Sequence, residues 1–205
     1  MLFRNILAVW ASTLSIVFMW PQALRVLRKK TVEGISVLGT LHSFTGSLLW
    51  SIYGLRAGVW YVAVSNVITL FALAIVITAQ VKFRAIRLIV VLVSQVSIVA
   101  VGVAAAAFSK NAIGLVAVAI GGTAIIPQTI RSACTSHQVG LSAATYAIIF
   151  VNSISWGAYG LLIKDLFVVT PNFLIVPCAF FISVRAALSH RRYGSTTEAV
   201  TVPAR

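Results

Sequence analysis

The sequence predicts an all-α membrane protein of seven transmembrane helices, built as two parallel three-helix bundles joined by a linker helix (3+1+3). Three observations carry this. Hydrophobic residues make up 60% of the 205 residues and charged residues only 9%, against roughly 45–50% and 25% in soluble globular chains. Seven apolar runs are each long enough to cross a hydrocarbon core of ~30 Å, which takes about 20 residues. A repeat with a spacing of 106 residues relates the early part of the chain to the late part. A soluble domain needs a polar surface that this composition does not supply.

The apolar runs lie at about 5–27, 36–57, 59–80, 86–108, 111–130, 141–163 and 166–188. The first follows a charge at Arg4, as a signal peptide would. No small-residue cleavage site comes after it, and it ends in Pro21-Gln22 and a basic cluster, so it reads as a retained first helix. Loop charges then set the orientation. Arg4, Arg56, Lys110 and Lys164 fall on one side, and the other twelve of the sixteen Lys and Arg fall on the other, from Arg25 to Arg205. The positive-inside rule places the N-terminus outside and the C-terminus in the cytosol. This asymmetry accounts for the formal charge of +13 without nucleic acid as a partner; the bilayer is the partner.

The polar stretch from Ser189 reads as a disordered cytosolic tail. The organisation is therefore a first repeat over 1–82, a linker helix over 83–109, a second repeat over 110–188 and a tail over 189–205. Cys134 and Cys178 have no metal spacing and imply no disulfide framework. Three histidines and three carboxylates leave no nucleophile–base constellation, so neither an enzyme, a metal site nor a cofactor is expected.

The repeat decides the rest. With the 106-residue shift, Pro21-Gln22 falls on Pro127-Gln128, Arg25 on Arg131, Gly34 on Gly140 and Ser36 on Ser142. Phe44 falls on Phe150, Trp50 on Trp156, Tyr53-Gly54-Leu55 on Tyr159-Gly160-Leu161, and Asn66 on Asn172. Chance matching in apolar sequence favours Leu, Val and Ala, whereas these matches are mostly Pro, Gln, Gly, Trp, Tyr and Asn. Each unit has three helices, so two units joined directly would be inverted. The unmatched fourth span restores the orientation, giving parallel repeats about an axis along the membrane normal.

The ordered set of Pro-Gln, basic loop, Gly-Ile-Ser or Gly-Leu-Ser, Trp-x-x-Tyr-Gly and third-helix Asn resembles the PQ-loop superfamily. More narrowly it resembles the SWEET and SemiSWEET sugar transporters, over nearly all of residues 10–188. The resemblance implies facilitative transport of sugars by alternating access, with Trp50, Asn66, Trp156 and Asn172 at the sugar site. One departure concerns prolines near the cytosolic ends of the second and sixth helices, which eukaryotic SWEETs tend to carry. The stretches Ile35–Thr40 and Leu141–Tyr146 have none. The hinge set is similar to that of SemiSWEETs and suggests a bacterial cell membrane.

The residues support the same site independently. Trp50 lies on an inward-running helix and Asn66 on the returning one, each about seven residues deep, or roughly 10 Å at ~1.5 Å per residue. Trp156 and Asn172 repeat this. Two indole faces and two amides suit a sugar, whose hydroxyls need groups that donate and accept and whose C–H faces stack on aromatic rings. Trp at both positions predicts a monosaccharide preference. His42, Gly46, Trp50 and Tyr53 share one helix face, as do Ile148, Asn152, Trp156 and Tyr159, so His42 and Asn152 are expected in a cytosolic vestibule, with a partner helix as the alternative for His42. Pro21 and Pro127 each free a carbonyl and are expected to act as hinges, with Gln22 and Gln128 as candidate partners for the freed groups. Arg56 and Asp165, with the hydroxyls of Tyr53 and Tyr159, are expected to close the outside.

Glu33, Asp165 and Glu198 all fall in loops or the tail, which leaves His42 as the one candidate for a proton relay and favours uniport. Two alternatives stay open: a cystinosin-like proton-coupled amino-acid exporter, and a KDEL-receptor-like cargo receptor. The first carries carboxylates in its helices and the second charged residues in its cavity. Two repeats in one chain suffice for a pore, and a homo-oligomer remains compatible.

Overall fold

The computed structural model describes residues 2–32, 35–136, 138 and 141–199, with the backbone alone for residues 25, 29 and 193–199. The Gly34–Gly140 match, the loop carboxylate Glu33 and the end of the expected tail, including Arg205, lie outside the described residues. Eight helices are present among them: α1 (Leu2–Lys29), α2 (Val37–Ala57), α3 (Trp60–Lys82), α4 (Leu88–Phe108), α5 (Lys110–Gly121), α6 (Ile126–Cys134), α7 (Ala143–Leu162) and α8 (Leu166–Ala199).

Within the first repeat α3 packs on both α1 and α2, and within the second α8 packs on α7 and on α5 and α6. Between repeats α1 lies on α7 and α2 on α5. The crossings therefore close into a ring in the order α1, α3, α2, α5/α6, α8, α7. The linker α4 rests on α2 and α5, outside that ring. Gln95 of α4 accepts from Thr45 of α2 at 3.2 Å, and Gln80 of α3 donates to Thr40 at 3.3 Å. Both glutamines tie helices together.

The repeat is visible in the backbone as well as in the letters. Ser36 and Ser142 cap α2 and α7, accepting from Gly39 N at 3.1 Å and Thr145 N at 3.2 Å. Gly54 and Gly160 bring each middle helix against its neighbour. A Cβ on Gly54 would lie 2.6 Å from the Ala63 nitrogen, and one on Gly160 3.0 Å from that of Val169. The turns after α2 and α7 both use a left-handed residue, Gly58 (φ 72°) and Lys164 (φ 55°). Lys164 carries a Cβ in a conformation that suits glycine. Lys164→Gly is expected to stabilise the fold by about 0.5–1 kcal/mol, readable as a higher thermal midpoint; an unchanged or lower one would show that the turn is unstrained.

The structure departs from several expectations. The run at about 111–130 is not one helix: it breaks over 122–125, between α5 and α6. A Cβ on Gly121 would sit 2.6 Å from Trp50 Nε1, and one on Gly122 2.9 Å from the Pro171 Cβ, so two glycines let distant side chains press on the backbone. Pro127 then sits at the start of α6, where its missing N–H costs nothing, whereas Pro21 lies inside a continuous α1. The prolines are thus not equivalent. Gln128 is not the partner of the carbonyl freed by Pro127: Ile126 N donates to Thr123 O at 3.0 Å, and Gln128 Nε2 donates to Ser132 Oγ at 3.2 Å.

The second span is less apolar than its position implies. Six helical stretches among the described residues are long and apolar enough to cross a membrane, and α2 is not among them. It carries Thr40, His42, Ser43, Thr45, Ser47 and Ser51 and is wrapped by α3, α4 and α5, so protein rather than lipid meets these groups. The expected disordered tail also begins too early, since α8 continues as helix to Ala199.

Candidate functional site

The end of the bundle at which α1 begins, called here the N-terminal face, also holds the starts of α3, α5 and α8. Between this face and the opposite one lies a cavity of ≈ 380 Å³ lined by both repeats. Trp50, Asn66, Trp156 and Asn172 all line it, as do His42, Asn152 and Gln128. Pro21, Gln22 and Pro127 are exposed and do not line it.

The two asparagines adopt one geometry. Asn66 Nδ2 donates to Val62 O at 2.9 Å and Asn172 Nδ2 to Val168 O at 2.7 Å. Each amide is thereby held by its own helix, one N–H engaged, with its oxygen and second N–H left to meet a ligand. Each tryptophan stands edge-on to the tyrosine one turn along its helix, Trp50 to Tyr53 at 5.5 Å and Trp156 to Tyr159 at 5.7 Å.

The repeats differ beneath this symmetry. Trp156 Nε1 donates to Ser15 Oγ at 3.1 Å, and Asn152 Nδ2 donates to the same oxygen at 3.1 Å. The equivalents of Ser15 and Asn152 are Gly121 and Gly46, which pack backbone to backbone; a Cβ on Gly46 would lie 3.3 Å from the Gly121 Cα. One inter-repeat seam is hydrogen-bonded and the other is a close glycine contact. His42 belongs to both a cavity and a helix partner. Its Nε2 lies 2.8 Å from the Ile120 carbonyl, at the end of α5. A carbonyl can only accept, so that nitrogen carries the proton, and the bond satisfies a group that the helix break releases.

Towards the N-terminal face the aromatic rings form a second layer. Tyr53, fully buried, meets Phe167 at 5.7 Å, and Tyr159 meets Tyr61 at 6.2 Å. Tyr61 and Phe167 are repeat equivalents, so each tyrosine packs on the third helix of the other repeat. Tyr53 Oη donates to Asp165 at 2.6 Å. Asp165 also accepts from Phe167 N at 3.0 Å and Val168 N at 3.3 Å, as the N-cap of α8. The expected Arg56–Asp165 pair is not formed. Arg56 Nε instead donates to Ala106 O at 3.1 Å, at the end of α4, while Asp165 is held by Tyr53 and the α8 amides.

Sequence reasoning missed Ser15. A lone serine in an apolar helix carries no signal, and the shift sets it against a glycine. It also missed Ser47 and Ser153, which line the cavity and do match under the shift.

Comparison with known proteins agrees with this architecture. The PQ loop repeat family matches residues 3–60. The sugar transporter SemiSWEET of Escherichia coli (strain UMEA 3162-1) is 35% identical over 54 residues, covering 26% of this chain and 61% of the relative's length. A solved eukaryotic SWEET transporter has the same fold, with a TM-score of 0.73 at 23% identity, covering 94% of this chain and 99% of its own. A PQ-loop match over the first repeat, a second copy of that pattern 106 residues on, and the fold of a solved SWEET transporter around one cavity make this a multi-pass membrane protein similar to the SWEET and SemiSWEET proteins.

Proposed function

We propose that the protein is a facilitative transporter of small sugars working by alternating access, with the substrate held between Trp50 and Trp156 and hydrogen-bonded by Asn66 and Asn172. The observation that carries this is the matched pair of asparagines, each fixed by its own helix and each presenting an amide oxygen at a cavity the two repeats share. Indole faces take up the C–H surface of a sugar and amide groups its hydroxyls. Among the described residues no carboxylate lines this cavity, and His42 is occupied by Ile120, which supports uniport over proton coupling or peptide-carboxylate recognition. With the N-terminus outside, as the loop charges direct, the tyrosine layer is the outer gate and the cavity faces the cytosolic half. His42 and Asn152 then line the inner vestibule, and the broken crossing at 122–125 joins Pro21 and Pro127 as a site of bending.

Uptake into proteoliposomes with a panel of sugars and amino acids, with and without a pH gradient, tests the reading. Sugar uptake indifferent to the gradient is expected; amino-acid uptake driven by it would replace the reading with an exporter. The cavity volume of ≈ 380 Å³ is at the small end of ligand sites, and a hexose should be carried in preference to sucrose. Efficient sucrose uptake without hexose uptake would overturn that assignment. For the gate, Tyr53→Phe removes a charge-assisted hydrogen bond worth about 1.5–3 kcal/mol, which converts to a roughly tenfold or larger shift towards outward opening. External labelling of a cysteine placed in the cavity should quicken accordingly; an unchanged labelling rate would reduce the Tyr53–Asp165 contact to a helix cap.

A further inference from the structure

The four basic residues of the N-terminal face are not spread over it. Arg56 is turned to Ala106, and the other three, Arg4, Lys110 and Lys164, line a single second cavity of ≈ 540 Å³. It lies across the tyrosine layer from the central cavity, with Tyr159 in its wall. Arg4 comes from α1, in the first repeat, and Lys110 and Lys164 from the second. Among the described residues none of the three side chains makes a hydrogen bond or ion pair within the chain. The lining also holds the Asp165 carboxylate, which accepts from Tyr53 and the α8 amides, neutral donors that leave its charge in place.

Three cations and one carboxylate leave the lining with an excess of positive charge that a further anion would offset. Their placement adds to this. Arg4 is in the first turn of α1 and Lys110 is the first residue of α5, positions at which the helix dipole disfavours positive charge. The first turns of α1, α3 and α5, whose starts contribute to this face, contain no acidic residue, and Asp165 caps only α8.

We propose that this cavity binds a small oxyanion, a carboxylate or a phosphate group, held between Arg4 on one side and Lys110 and Lys164 on the other. Such an anion ties the ends of the two repeats together. It binds better when they are close, and therefore favours the state in which this face is shut and slows sugar entry through it. The binding stands independently of the transport reading, whereas the effect on rate rests on it.

The test uses the purified full chain in neutral detergent, with inorganic phosphate and gluconate as probes and chloride at matched ionic strength as the reference. Both probes should raise the thermal midpoint saturably above the chloride value, and Lys110→Gln/Lys164→Gln should lose that rise. A third arm adds phosphatidylglycerol. A rise with this lipid that the double variant loses, and none with phosphate or gluconate, assigns the oxyanion to a lipid headgroup. No rise with any probe, or one that the double variant keeps, overturns the site. In proteoliposomes saturating phosphate should slow sugar uptake roughly fivefold or more in the wild type and not in the double variant. Equal uptake with and without phosphate, despite binding, overturns the coupling, while a wild type that carries no sugar even without phosphate counts against the transport reading alone.

Discussion

On the transport reading, Asn66→Ala and Asn172→Ala are each expected to reduce sugar uptake roughly tenfold or more, while both variants should insert and purify as the wild type does. The size follows from leaving a sugar hydroxyl without its partner in the cavity, at about 1–3 kcal/mol. The sparing of the fold follows from the local geometry. The Asn side chains donate to Val62 O and Val168 O, carbonyls that the helix backbone also serves, so truncation orphans no buried backbone group. Asn66→Asp and Asn172→Asp sharpen the test, since they keep the shape and the acceptor but remove the donor. Uptake within twofold of wild type in both alanine variants would move the substrate elsewhere in the cavity.

Gly54→Ala and Gly160→Ala have the other large effect, on folding. At Gly54 the added methyl would lie 2.6 Å from the Ala63 nitrogen and 2.9 Å from its Cα, both backbone atoms that cannot turn aside. At Gly160 the nearest obstacle is Val169 Cγ2 at 2.8 Å, with Val169 N at 3.0 Å, so part of the strain is relieved by a side chain. The α2–α3 and α7–α8 contacts must widen, at about 3 kcal/mol for Gly54→Ala and somewhat less for Gly160→Ala. Gly46→Ala is the control, because its Cβ would meet Gly121 Cα at 3.3 Å. Thermal unfolding in detergent should rank the three with Gly54→Ala lowest; Gly54→Ala at the wild-type midpoint would mean that the helix pair has slack.

The sequence carried the architecture because the repeat preserves the residues that shape it. Ser36 and Ser142 start helices, Gly54 and Gly160 let them touch, and the Trp and Asn pairs fall in one cavity because a parallel repeat places equivalent depths at equal height. What it could not carry depends on contacts between distant parts of the chain. The break before α6 reads as an unbroken apolar run, and only the pressure of Trp50 and Pro171 on two adjacent glycines reveals it. Arg56 and Asp165 look like a natural pair by sign and side. Nothing in the sequence tells that Tyr53 and the start of α8 hold the carboxylate. Ser15 is silent because its importance belongs to Asn152 and Trp156, which lie 137 and 141 residues away.

The unlike seams between the repeats bear on how such a chain came to need both its halves. Asn152 fits because it faces Ser15, and Gly46 fits because it faces Gly121. Two copies of the first half would set Ser15 against Gly46 and leave a hole where the amide stands. Two copies of the second would drive the Asn152 side chain into the backbone at Gly121. The duplicated halves have thus become a lock and a key of different cut. Expressed separately, they should recover each other from a mixture rather than pair with themselves, a mutual dependence that fusion in one chain makes permanent.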